Sequence, residues 1–286
     1  MNCFFVSDLH GKIGLYRKLF DIIQRDCPEA LFLGGDLLPS GLNQLAEDDI
    51  QPDNFILDFI RPQLTRLKTN LSDKFPRIFV ILGNDDSRLE ETAVMDIENE
   101  SLWEYIHGKK TALDRFPVYG YAHIPPSPFL LKDWEKYDVS RHVDPGSLSP
   151  EAGYRTIPRE IQKIRYSTIA RDLADLTGDF RLDHSIFLFH SPPYRTRLDR
   201  ADLDGRMFEH VPLDVHIGSI AVQRFISERQ PLLTLHGHVH ESSRLTGTWS
   251  DRIGKTVCLS AAYDGPELAL VRFDPDCPEK AVRELL

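Results

Sequence analysis

A layered α/β fold is predicted for this chain, and three observations predict it. Short apolar runs rich in β-branched and aromatic residues recur along the sequence, and amphipathic stretches with helical spacing separate them. The chain has 286 residues, 41% hydrophobic and 27% charged, so it has ordinary globular composition and length for a large core. The alternation of strand and helix is the order that stacks helices on a sheet.

The elements follow in sequence. Residues 4–6 form the first strand. Between 14 and 25, Leu15, Leu19, Phe20, Ile22 and Ile23 make one helical face. Residues 30–33 are a second strand. Residues 54–71 place Phe55, Ile56, Phe59, Ile60, Leu64 and Leu67 at helical spacing, with Pro62 expected to bend or interrupt the helix. A β-branched third strand spans 77–82 and a fourth 185–189. Residues 221–229 read as a helix and 232–235 as a fifth strand, and 257–260 and 268–273 as late sheet strands. Residues 125–158, rich in Pro, Gly, Ser and charge, have no period. They read as an insertion or lid on one domain spanning 1–286.

Composition narrows the function. There are 34 Lys and Arg against 44 Asp and Glu, a net charge of −10. That sign opposes the counterion displacement by which proteins grip long DNA or RNA. Phosphate chemistry stays open, because a metal can supply positive charge locally. No apolar run reaches the ~18 residues of a membrane span. The first residues lack the basic segment and long apolar run of a signal peptide. Cys3, Cys27, Cys258 and Cys277 contain no C-x-x-C pair, which excludes a zinc ribbon or thioredoxin-type site. Reduced thiols in a cytoplasmic protein are the expectation.

The chemistry lies just past the strands. Asp8 and His10 follow the first, Gly35 and Asp36 the second, and Gly83, Asn84 and Asp85 the third. His190 follows the fourth, and Gly237, His238 and His240 the fifth. In open α/β sheets ligands bind beyond the carboxyl ends of strands, so these residues should converge on one rim. Alternate positions on an extended chain point the same way, so Asp8/His10 and His238/His240 should each present paired ligands. Two carboxylates, four histidines and an asparagine are too many for one ion and suit two, with Asp36 best placed to bridge. Nitrogen and oxygen donors without thiolate suit Mn, Fe, Zn, Co or Ni, Mn favoured.

Asp8-Leu9-His10, Gly35-Asp36, Gly83-Asn84-Asp85-Asp86, His190 and Gly237-His238-Val239-His240 together resemble the motifs of the calcineurin-like metallophosphoesterases: D-x-H, G-D, G-N-H-[DE], H and G-H-x-H. The resemblance implies a four-layer αββα sandwich of two mixed β-sheets flanked by helices. It implies that Asp8, His10 and His240 hold one ion, that Asn84, His190 and His238 hold the other, and that Asp36 bridges. Asn84 is also expected to touch substrate.

One position departs from the pattern. Asp85 stands where the family commonly has a histidine that orients substrate or protonates the leaving oxygen. A carboxylate beside two cations should be ionised at neutral pH and so a poor acid. The reading is a dimetal-dependent phosphoesterase acting on small phosphodiesters or activated phosphomonoesters, by in-line attack of a metal-bridging hydroxide. The alternative is a catalytically silent metal-binding scaffold of the same fold. Outside the ligand set, His216 is a candidate replacement acid, Arg195 and Arg197 are candidate phosphate contacts, and His123 is a candidate for the rim.

Overall fold

The structure is a computed structural model that describes residues 1–39 and 52–286. The chain opens with β1 (Cys3–Val6), α1 (Ile13–Asp26) and β2 (Ala30–Gly34). A π-helical segment (Phe55–Ile60) runs into α2 (Arg61–Leu71), followed by β3 (Arg77–Ile81), α3 (Glu91–Asn99), β4 (Glu104–Tyr105), β5 (Lys110–Leu113) and β6 (Phe116–Tyr121). Then come α4 (Ile161–Arg165), α5 (Ile169–Thr177), β7 (Ile186–Phe189), the hairpin β8 (Met207–Phe208) and β9 (Val211–Pro212), α6 (Ile220–Arg229) and β10 (Leu233–His236). The chain continues through α7 (Ser242–Thr246), β11 (Ser250–Ile253), β12 (Thr256–Ser260), β13 (Ala269–Phe273) and β14 (Val282–Leu285).

Two six-stranded mixed sheets form the centre, in the orders β14-β13-β1-β2-β3-β4 and β11-β12-β10-β7-β6-β5. In the first, β1, β2 and β3 run parallel, and β13 is antiparallel to β1. In the second, β6, β7, β10 and β12 run parallel. The side-chain period of two explains how each strand serves two layers. Ile186 and Leu188 of β7 join the core shared by both sheets, whereas Phe187 and Phe189 pack with Ile169 and Leu173 of α5 and Val222 and Phe225 of α6. The sandwich with helices outside is thus the fold expected from the sequence.

The 54–71 segment differs from a single bent helix in an instructive way. Pro62 occupies the first turn of α2, directly after the wider π turn, so the helical run changes pitch at the proline rather than breaking. Elements absent from the sequence reading are α3, β4, β5, β6, α4, α5, α7, β11, β14 and the β8–β9 hairpin; most are short or half-exposed, and the buried β6 carries Pro117 and Gly120 within its run.

Residues 125–158 contain no helix and no strand of either sheet, yet they are firmly tied down. Trp134 is fully buried and its Nε1 donates to the Asp86 carbonyl at 2.8 Å. Lys132 and Glu135 pair at 2.6 Å with neither side chain exposed. Asp133 accepts the backbone N–H groups of Arg88 and Thr156, each at 2.9 Å. Asp138 accepts from Ser219 Oγ at 2.6 Å and from Ile220 N–H at 2.7 Å, at the start of α6. Polar anchors of this kind leave no hydrophobic period. Among the described residues, no helix is long and apolar enough to cross a membrane.

Candidate metal centre

Four turns at the carboxyl ends of β1, β2, β3 and β10, with the residue after β7, build the site. Two groups of ligand-type side chains form there: Asp8, His10, Asp36 and His240, and Asp36, His190 and His238. Within each group the ligand atoms lie within 4.8 Å of one another. Asp36 belongs to both. Asn84 joins the second, its Oδ1 3.0 Å from His190 Nε2.

The pairing of Asp8 with His10 arises differently from the extended geometry expected. Asp8 (φ 58°), His10 (φ 45°), Asp36 (φ 51°) and His238 (φ 76°) all have left-handed backbone. These are tight turns, in which Asp and His are tolerated better than most residues. Such conformations cost on the order of 1–3 kcal/mol each and persist where the surroundings over-determine them. Here the surroundings are the cross-chain bonds Asp8 N–H to Gly35 O (2.9 Å) and His10 N–H to Asp36 O (2.8 Å), and the His238 N–H on Asp8 Oδ1 (3.0 Å). Gly83 permits the closest approach: a Cβ there would collide with the Asp36 backbone nitrogen and carboxylate.

The donor set fits two divalent ions. His190 is fully buried and its Nδ1 lies 2.8 Å from the Gly34 carbonyl, which accepts from it, so Nε2 is the free ligand atom. That Nε2 is 3.3 Å from Asp36 Oδ2. In the first group His10 Nε2 and His240 Nε2 face each other at 3.2 Å, and His240 Nε2 lies 3.2 Å from Asp8 Oδ1. His10 Nδ1 has no hydrogen-bond partner. Imidazole nitrogens aimed at one another and at buried carboxylates need positive charge between them.

Without ions, protons take that role. Burial pushes His190 down, but the charge and hydrogen bond of Asp36, with Asp8 beyond, override it and hold it at about 10. Burial also lowers His240, and the hydrogen bond and charge of Asp8 bring it up to about 9. His238 is pushed down to about 3 by burial, then by the charge of His190. Burial would raise Asp36, but the charge and hydrogen bond of His190 hold it well below the usual carboxylate range. Binding of metal therefore displaces protons.

Asp85 is partly exposed, 37% of its side chain accessible, with Oδ2 3.6 Å from His10 Nδ1. Its N–H donates to Asp36 Oδ1 at 2.8 Å. In the protein alone, burial and then the charge of Asp36 push its pKa up. The lowered value expected from the sequence depends on two cations, which act in the opposite sense.

Asp86 belongs to the same motif, and the sequence reading assigns it no role. It is fully buried, and its carboxylate accepts N–H groups from Leu37 (2.9 Å), Leu38 (2.8 Å) and Gly83 (2.8 Å), binding the turn after β2 to the turn after β3. Burial and then the Asp36 charge push its pKa up to about 7, against these hydrogen bonds. The acidic end of the G-N-x-[DE] pattern is the signal for this role.

The remaining candidates separate. His216 directs Nδ1 to Asp199 Oδ1 at 2.8 Å and lines a cavity that also touches His238. Asp199, its buried partner, escapes sequence reasoning because nothing in the local sequence pairs them. Arg197 is engaged with Asp251 at 3.2 Å, and Arg195 lies over the Tyr194 ring. Neither is among the residues lining the two cavities described beside the ligands. His123 is not at the rim but buried among His107, Tyr121 and Trp134, with ring centroids 4.8, 5.4 and 5.6 Å away.

The family described as calcineurin-like phosphoesterase matches residues 1–242. No curated protein is significantly similar in sequence. Among solved structures, the fold is similar to TT1561 of Thermus thermophilus, with 17% identity over 99% of this chain and 98% of that one and a TM-score of 0.55. It is also similar to the phosphopantetheinyl hydrolase of Mycobacterium tuberculosis, with 14% identity over 92% and 89% and a TM-score of 0.51.

Proposed function

The chain belongs to the calcineurin-like phosphoesterase family, and on that premise we propose that it is a dimetal-dependent hydrolase of small phosphodiesters or activated phosphomonoesters. The observation that carries this reading is the pair of ligand groups sharing Asp36. Asp8, His10, Asp36 and His240 would hold one ion, and Asp36, Asn84, His190 and His238 the other. Mn is favoured by the nitrogen and oxygen donors, with Fe, Zn, Co and Ni also compatible. When bound, two such ions supply charge to bind phosphoryl oxygens and acidity to activate water for in-line displacement. Four free cysteines support a cytoplasmic setting, and the domain is read as one unit with residues 125–158 as its insertion.

The chain's own groups do the rest. The Gly34 carbonyl fixes the His190 tautomer, and the His238 N–H and Ser7 Oγ–H donate to Asp8 and orient its carboxylate. The Asn84 amide, which donates to Asp85 Oδ1 at 3.2 Å, is assigned the contact to a phosphoryl oxygen. His216, oriented through Asp199, is assigned the proton for the leaving oxygen, because Asp85 ionised beside cations cannot give one.

The test of the reading is hydrolysis of a chromogenic phosphodiester by Mn-loaded parent and His240→Ala, with circular dichroism on both. Turnover is expected in the parent and a loss of several orders of magnitude in the variant. The spectra should match, because His240 lies past β10, is one-third exposed and is held by His10 and Asp8 rather than by the apolar core. A parent that carries two ions yet hydrolyses nothing across a broad ester panel would leave the silent-scaffold reading standing.

A second prediction concerns the proton. Asp85→His should raise the alkyl-ester rate relative to the aryl-ester rate, and His216→Gln should lower it, since only poor leaving groups need an acid. Aryl-to-alkyl ratios that stay constant in both variants would remove Asp85 and His216 from leaving-group protonation.

A further inference from the structure

We infer that the cavity running from His238 beneath residues 125–147 is the subsite for the organic group of the phosphoester, and that it takes a bulky, apolar, uncharged group. The inference rests on the phosphoesterase reading and adds the class of substrate to it.

The cavity has a volume of about 510 Å³, within the roughly 300–1,000 Å³ range of small-molecule sites. The ligand residue His238 is part of its lining, so the cavity adjoins the ligand cluster and is open to the ester group of a phosphoryl group held there. The walls come from two segments distant in sequence. Pro126 and Phe129 belong to the anchored insertion, and Phe208, Leu213 and Ile217 come from the hairpin β8–β9 and the stretch after it. These segments pack together at Gly146, where an added Cβ would lie 3.0 Å from Leu213 Cδ2 and 3.7 Å from Phe208 Cδ2. Phe129 and Phe208 remain 53% and 50% exposed, so apolar surface is available for a ligand to cover.

The charges specify what the group lacks. Asp138, Asp144, Asp214 and Glu241 line the cavity, against Arg206 and the histidines His142, His216 and His238. Asp138 is occupied at the start of α6, Asp214 by the Tyr194 hydroxyl and the His216 N–H, and Glu241 by the Asp202 N–H. No cluster of cations is present among the described residues of the lining to bind a second phosphate, so a polyphosphate tail is disfavoured. A second cavity touching the ligands, about 150 Å³ beside Asp8, His10 and His240, carries Asp264 and Glu267. It is small and acidic, and unsuited to the same group.

The experiment is calorimetric titration of the Mn-loaded protein with non-hydrolysable phosphonates. Naphthylmethylphosphonate should bind at least about tenfold more tightly than methylphosphonate, the factor that burial of part of one aromatic ring supplies. Phe208→Asp should abolish that advantage, read as the ratio of the two affinities on the same variant, so that any effect of the added charge on the shared phosphonate cancels. Met207→Asp should keep the advantage, because Met207 is 53% exposed, outside the lining, and projects from the opposite face of the strand. Both sites are exposed hairpin positions, so folding is not at risk. Equal affinities for the two phosphonates, with chromogenic turnover intact, would overturn the subsite and spare the phosphoesterase reading. Tighter binding of a carboxyalkyl phosphonate than of the naphthylmethyl compound would overturn the uncharged specificity. Absence of methylphosphonate binding together with absence of ester hydrolysis would instead count against the phosphoesterase reading itself.

Discussion

Asp36→Ala should purify with neither ion, even after Mn loading, and should lose ester hydrolysis by several orders of magnitude. Asp36 is the one side chain common to both ligand groups. It is 2% exposed, with Oδ1 accepting the Asp85 N–H at 2.8 Å and Oδ2 3.3 Å from His190 Nε2. Its removal takes a ligand from each ion and leaves His190 and His238 without a carboxylate in their group. Asp36 also sits at φ 51°, where alanine is strained by roughly 1–2 kcal/mol. Asp36→Asn separates the two effects, because asparagine tolerates that backbone and keeps an acceptor for Asp85 while losing the charge. Both variants should lack the pair of ions in elemental analysis. Two ions retained by Asp36→Asn would show that the charge of the shared carboxylate is not what holds the pair.

Asp86→Ala is expected to destabilise the metal-free protein by about 3 kcal/mol or more. Three buried backbone N–H groups, those of Leu37, Leu38 and Gly83, lose their acceptor, and each unsatisfied donor costs roughly 1–3 kcal/mol. Measuring without metal keeps this loss apart from any change in ion binding. Asp86→Asn retains one acceptor oxygen, so its loss should be smaller. The readout is the denaturant midpoint at unchanged slope. A midpoint equal to the parent's in Asp86→Ala would show that the turns after β2 and β3 are held together by other contacts. Loaded with Mn, the same variant should also bind the ions more weakly, because the turns it joins carry Asp36 and Asn84.

Much of the centre is legible residue by residue. Strands 30–33 and 185–189 stand out as apolar runs, because a strand buried on both faces has no polar alternation to interrupt it. The Asp, Asn and His residues after them are conspicuous for the same reason. What misleads is local geometry. Asp8 and His10 do face one cluster, but through left-handed turns, and no residue pattern distinguishes those from two alternate positions on a strand. His123 reads as a rim residue because it follows Tyr121 at the end of β6, and the packing of His107 and Trp134 against it makes it interior.

The sequence by itself determined the layered α/β class, the candidate ligand set and the acidic balance that argues against long nucleic acid. These depend on residue type and on spacing within a few positions, and such patterns survive without knowledge of neighbours. Tertiary structure decided the rest. Asp36 falls in both ligand groups because β2 lies between β1 and β3 in one sheet, while β7 and β10 bring His190 and His238 from the other. Asp199 orients His216 across a loop, and Asp86 reaches back 49 and 48 residues to Leu37 and Leu38. The apolar cavity exists only where residues 125–147 and the β8–β9 hairpin meet. Each of these is a contact between segments that the chain order separates, and sheet order and side-chain packing, not local preference, set which segments meet.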